Sequence, residues 1–394
     1  MFFSLSRSQD LKFPYHYDLG ELILNTDAGW NRAESDGSIW VYKGYMDDGR
    51  LFENLNFLED QQRTGNFCVF EYDVKSEKIQ IKTNLYRGFL IWHDRDAITN
   101  LTPGEYPIWA DSTVSLDQEL NLYEQKIDII GDIDTEQISR QVLVDWVHDR
   151  LTYKVRSFLK HNTLPLKIFC SGGVDSMLVF SYIKAHTDKF QMIWENHVEW
   201  DKFWCLNQAH IRNKFWAYKQ IHHWKNPCVL SSGAPGDEYM LRSPTTANLW
   251  LKYQGTSILE ELSKNHCHLH RDYFNLPKHV DIFKFQDSHA PELSLNKGDF
   301  YHFLCNTVSN DFQHWHLGNT ITFTPLRDLE IFKKFLCLSA EDGLSQILDS
   351  SISKELISRN DPTLLDYLSD VKNTGESFSN LLGLMSRYPA ISGQ

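Results

Sequence analysis

The spacing of apolar residues changes character along the chain. Up to about residue 93 it alternates, as in Gly37–Tyr45, Asn66–Asp73 and Lys78–Thr83. Period-two alternation between turn signals such as Asp47-Asp48-Gly49 predicts hairpins with one buried face. Residues 94–135 are polar and turn-rich, with Thr102-Pro103-Gly104 as a breaker, and predict a connection with some strand content. Beyond that the period lengthens: Ile138, Val142, Leu143, Trp146 and Val147 recur at three- and four-residue steps and predict a helix over 135–158. A short apolar run at 164–169 leads into a Gly-rich turn and a second helical stretch. A strand at 190–194, a helix at 206–223 and a strand at 228–231 come next. Strands alternating with helices predict βαβ units and a parallel sheet. The last hundred residues read as mostly helical. The expected division is residues 1–130 and residues 136–394.

Composition narrows the classes. Of 394 residues, 42% are apolar and 23% charged, which is core-building material and excludes wholesale disorder. Against 39 Lys and Arg stand 52 Asp and Glu, a formal charge of -13. A body so acidic repels phosphate polyanions, so a nucleic-acid partner is disfavoured. No apolar run reaches the roughly 20 residues of a membrane-spanning helix, and the opening MFFSLSRSQDLKF lacks the features of a secretion signal. Seven cysteines (68, 170, 205, 228, 267, 305 and 337) are scattered and never spaced C-x-x-C. That usage predicts reduced thiols and a cytoplasmic setting without membrane.

One stretch carries chemistry. Ile168-Phe169-Cys170-Ser171-Gly172-Gly173-Val174-Asp175-Ser176-Met177 places two glycines between an apolar strand and a helix start. Glycines let backbone N–H groups approach a ligand, and a helix N-terminus attracts anions. Ser171 adds a hydroxyl, and Ser176 is expected to cap the helix. The turn suits phosphate oxygens. Asp175 would repel phosphate by itself, so its presence implies a bridging Mg²⁺. The lysine of a Walker loop is missing, which argues against ordinary γ-phosphate transfer.

This Ser-Gly-Gly-Val-Asp-Ser turn resembles the signature of the PP-loop ATP pyrophosphatases. Members cleave ATP between the α and β phosphates, adenylate a carboxylate or carbonyl oxygen and let a nitrogen or sulfur nucleophile displace AMP. Downstream, Ser232-Gly233-Ala234-Pro235-Gly236-Asp237-Glu238 resembles the second motif of the asparagine synthetase branch. That likeness implies a second Gly-rich turn at Gly233 and Gly236, with Asp175 and Asp237 sharing Mg²⁺ and Glu238 beside them. Phe323–Phe332 is similar to a third family segment. Ser353–Ile357 and Asp370–Asn373 are similar to the closing region, which gives Lys372 a phosphate-contacting, catalytic role. In the family an Arg stands where Asp370 is.

The N-terminal half resembles a class II glutaminase domain at Gly65–Asp73 and Arg87–Trp92. Such domains use a Cys exposed after Met removal, whereas Phe2 stands here, and Leu85 occupies the position of a family Asp. The resemblance therefore implies a glutaminase-like sandwich without amide hydrolysis. The expected architecture is α/β: an N-terminal α+β, Ntn-hydrolase-like β-sandwich, then a PP-loop (adenine nucleotide alpha hydrolase-like) parallel-sheet domain.

The resemblance implies an amide-forming ligase using ATP and Mg²⁺. Ser171, Gly172, Gly173, Val174, Asp175, Ser176, Gly233 and Gly236 would hold the nucleotide. Asp175 and Asp237 would hold the metal, and adenine would lie near the strand at 190–194. Its partners would be a small-molecule carboxylate and ammonia or an amine; the oligomeric state, a homodimer included, stays open. Two other readings stand beside it: a nucleoside- or RNA-modifying PP-loop enzyme, and a degenerate, non-catalytic nucleotide binder. The run His266-Cys267-His268-Leu269-His270 lacks the paired spacing of a zinc site.

Overall fold

The computed structural model describes residues 3–46, 65–83, 91–93, 96–99, 106–108, 112–127, 136–170, 172–193, 226–233, 236–242 and 319–368. The first part folds as two antiparallel sheets. One contains β1 (Phe3–Ser6), β2 (Tyr15–Leu19), β3 (Leu22–Thr26), β8 (Ile91–His93), β9 (Ala97–Thr99) and β10 (Tyr106–Ile108), in the order β10-β8-β9-β1-β3-β2. The other contains β4 (Asn31–Ser35), β5 (Ser38–Met46), β6 (Gly65–Asp73), β7 (Lys78–Thr83), β11 (Ser112–Leu116) and β12 (Leu122–Ile127), in the order β12-β11-β7-β6-β5-β4.

The predicted alternation at 38–46, 66–73 and 78–83 is realised as β5, β6 and β7, each paired in register with the next. Inward residues of both sheets meet in one core: Phe3, Leu5, Leu22 and Leu24 from the first, Val41, Phe70, Ile79 and Ile81 from the second. Phe3, Trp30 and Phe70 form its centre, with ring centroids 4.9 to 6.1 Å apart. Residues 94–135, expected as a connection with some strand content, supply β9 and β10 to the first sheet and β11 and β12 to the second. The three-residue runs of β9 and β10 are too short for periodicity to separate strand from connection.

Lys43 is a buried cation in this part. It is 1% exposed, donates to the Ala28 carbonyl at 2.7 Å and lies 3.5 Å from Asp27, which accepts from the Trp30 indole at 2.9 Å. Burial pushes its pKa down, and the Asp27 carboxylate works against that. The pair fixes the turn between β3 and β4.

The second part is built on a four-stranded parallel sheet. Its strands are β13 (Leu166–Phe169), β14 (Gln191–Ile193), β15 (Cys228–Ser231) and β16 (Thr320–Phe323), in the order β14-β13-β15-β16. Helix α1 (Arg140–His161) is capped by the Ser139 hydroxyl, five residues later than the predicted start. Helix α2 (Val174–Lys184) is buried all round from Ser176 to Ile183, as a helix held between layers must be. The short α3 (Gly236–Tyr239) comes after β15, and α4 (Leu329–Leu336), α5 (Ala340–Asp349) and α6 (Ser351–Asn360) come after β16. The helix expected at 206–223 lies outside the described residues.

The two parts share their cores. Tyr45 of β5 packs edge-on against Phe158 and Phe323, which stack on each other with centroids 3.8 Å apart. In the opposite direction, Phe169 of β13 and Leu230 of β15 join the core between the antiparallel sheets. Among the described residues no helix is long and apolar enough to cross a membrane.

Asp328, the N-cap of α4, locks α1 to the sheet. Its wholly buried carboxylate accepts from Arg150 at 2.6 and 3.0 Å and from Lys154 at 3.1 Å. Burial raises its pKa, but Lys154 and Arg150 outweigh burial and hold it below the usual carboxylate range. Its stabilisation is therefore fully present above about pH 4, the unfolded value, and is lost as pH falls through the lower folded value. Asp328→Asn should cost about 3 kcal/mol at neutral pH. The gap from wild type in urea melts should narrow in acid, and a gap independent of pH would contradict this account.

Candidate functional site

The chain leaves β13, places β14 on one side of it and then crosses back to place β15 on the other. Parallel sheets bind ligands where the connections part in this way, beyond the carboxyl ends of the strands. Both Gly-rich motifs sit there: the first directly after β13, the second directly after β15.

Gly172 has φ +82, a left-handed conformation open to glycine at little cost, and it turns the chain from strand to helix. Gly173 is the N-cap of α2 and makes no side-chain cap bond. Ser176, expected to cap, stands instead in the first turn, where its hydroxyl donates to the Gly173 carbonyl at 2.9 Å. The helix starts earlier than the motif suggested because Gly173 already has extended dihedrals. Val174, Asp175 and Ser176 thus form the first turn, whose N–H groups have no acceptor within the helix and carry the positive end of its dipole. Ser171 lies outside the described residues.

The second motif packs directly on the first. A Cβ placed on Gly233 would lie 2.3 Å from the carbonyl carbon of Asp175 and 2.3 Å from the nitrogen of Ser176. One placed on Gly236 would lie 2.6 Å from Asp175 Oδ1 and 2.6 Å from Leu326 Cδ1. Asp237, half-buried in α3, is the next residue along. Leu326 belongs to the third motif, so three of the four segments singled out in the sequence meet here. The side chain of Glu238 lies outside the described part, as does Lys372. Of the fourth segment, Ser353–Ile357 falls in α6.

Sequence reasoning missed Arg242. Its guanidinium forms an ion pair with Asp175 through Nη1 and donates from Nε to the Ser350 hydroxyl at 2.8 Å. The only signal in the sequence was one cation just behind the carboxylates of the second motif. The implied Mg²⁺ fits the donor set, because this ion uses one or two carboxylates together with phosphate and water. Asp175 and Asp237 supply that number, although no group of three or more potential ligands occurs among the described residues. Cys170, at the end of β13, is buried and its pKa is pushed up by burial, so it is no nucleophile.

A cavity of about 1180 Å³ opens at the other end of the sheet, lined by residues such as Lys160, Leu164 and Phe190. It contains none of the motif residues. Size favours that cavity as a binding site, but the N-terminus of α2 and the two Gly-rich turns lie at the switch point.

Gly233→Ala should destabilise by about 2 kcal/mol, since the new methyl meets backbone that cannot turn aside. Gly236→Ala should cost less, because its neighbours are side-chain ends. Denaturant titration of both variants tests the order, and equal small losses would mean that the two turns are not in contact. No family model and no curated protein sequence matches the chain.

Proposed function

We propose that the chain is an ATP-dependent amide-forming ligase that releases AMP and pyrophosphate. The observation that carries this reading is the packing of the Gly233 turn on the first turn of α2, at a topological switch point of a parallel sheet. A phosphate chain laid there would face the N–H groups of Val174, Asp175 and Ser176. The substrate carboxylate would attack the α-phosphorus, forming one P–O bond as the bond to the β-phosphate oxygen breaks. Ammonia or an amine would then displace AMP from the acyl group.

Catalysis of this kind is positioning plus stabilisation of charge on the departing pyrophosphate. Asp175 and Asp237 would hold Mg²⁺, which when bound neutralises that charge. Gly172, Gly173, Gly233 and Gly236 keep the approach clear of side chains, and Lys372 is assigned to the leaving phosphates by resemblance alone. By resemblance alone, the N-terminal sandwich would take no part in releasing ammonia.

Pyrophosphate release from ATP, screened against pools of amino acids, other carboxylates, nucleosides and RNA, tests the reading. Stimulation by a carboxylate supports it. Stimulation by nucleoside or RNA alone would replace it with base modification, and no release would leave a nucleotide binder. Asp175→Ala should lower turnover at least about a hundredfold while circular dichroism stays unchanged; wild-type-like turnover would remove Asp175 from the site. Glutamine should support the reaction no better than ammonia, and release of glutamate would reverse the inference about Phe2.

A further inference from the structure

We propose that Arg242 is the cation through which the cleft holds a phosphate chain, bridging that chain to Asp175 where a divalent ion would otherwise be required. The proposal deepens the nucleotide reading above and rests on it for the identity of the anion. Its starting point is a charge problem. Asp175 stands in the first turn of α2, where its carboxylate would repel a phosphate approaching the helix N-terminus. The structure answers with the guanidinium of Arg242 on Asp175 Oδ1. The pair sums to zero, so the carboxylate no longer offsets the positive end of the α2 dipole.

The geometry suits Arg242 to a second partner. A guanidinium carries five N–H donors in a planar fork. Two are in use, one to Asp175 and one to Ser350, and the rest engage no described residue. The side chains of Arg242 and Asp175 are 18% and 19% exposed, so a solute can reach them. The planar fork matches two phosphate oxygens at once, which a lysine does not.

The backbone leading to Arg242 is also unusual. Leu241 is wholly buried and adopts φ +57, a left-handed conformation that costs a non-glycine residue energy. That turn, closed by the Arg242 N–H donating to the Asp237 carbonyl at 2.7 Å, carries the chain back toward the loop. Ser350, which holds Nε from the far side, has φ +55 at the junction of α5 and α6. Two left-handed residues therefore converge on the placement of one guanidinium.

Calorimetric titration of the full chain with inorganic pyrophosphate, and separately with ATP, tests the assignment. Each is run in EDTA and in Mg²⁺, for wild type, R242Q and R242K, after thermal melting establishes that the variants are folded. Wild type should bind pyrophosphate in EDTA. R242Q should bind it at least about tenfold more weakly, the scale of one charge-assisted hydrogen bond, and Mg²⁺ should recover most of the loss. R242K, which keeps the charge without the fork, should fall between.

Unchanged affinity of folded R242Q in EDTA would reduce Arg242 to a structural clamp and overturn the proposal. So would a wild type that binds only with Mg²⁺. If R242Q does not fold, R242K decides, and wild-type affinity in EDTA would reject the fork. If pyrophosphate shows the expected pattern while ATP is bound under no condition, the role of Arg242 stands and the nucleotide reading falls.

Discussion

The absence of a side chain at Gly233 is the constraint on which the site depends. Strand β15 delivers its turn so close to the start of α2 that a single methyl would overlap the backbone of Asp175 and Ser176. Parallel strands about 4.8 Å apart set this distance: β13 and β15 pair through Ile168 and Ser231, so the turns that leave the two strands must emerge side by side. A turn bearing a side chain would force the loops apart. Removing the Cβ lets the two backbones share one small volume.

The second constraint is that the antiparallel and parallel parts complete each other's cores. Tyr45 crosses one way, its ring against Phe158 and Phe323 and its hydroxyl accepting from the Thr324 N–H at 3.4 Å. Phe169 and Leu230 cross the other way. Phe169 and Leu230 lie in the strands that present the two Gly-rich turns, and Thr324 is the residue directly after β16. The floor of the site is thus held from beneath by the sandwich. Asp328 holds it from the side, through Arg150 and Lys154 of α1.

Much of this was legible because the local pattern and the final environment agree. The run Cys228–Ser231 reads as a buried strand and is one, because a parallel strand buries both faces. The alternation in β5 and β6 survives because those strands are nine residues long, and β7 is held in register by its pairing with β6. The three-residue strands β9 and β10 carry too few residues for a period, and pairing across the sheet defines them. Lys43 shares a face with Val41 and Tyr45, and its charge is matched inside because β3 and β5 come together to bring Asp27 within reach. Arg242 was illegible for a similar reason. Its partner Asp175 is 67 residues away in the chain, and the left-handed Leu241 that returns it is a conformation no propensity assigns to leucine.

The shared cores also tie the stability of the two parts together. Separating the parts would return Tyr45, Phe158, Phe323, Phe169 and Leu230 to water. Each buried side chain of that size is worth about 1.5 to 3 kcal/mol, and folded chains as a rule hold only about 5 to 15 kcal/mol in reserve. Loss of the sandwich would therefore cost the parallel sheet a large part of its margin. Packing alone thus gives the N-terminal part a role in the stability of the parallel sheet. The carboxyl ends of β13, β15 and β16 stay fixed relative to one another because something rigid lies under them.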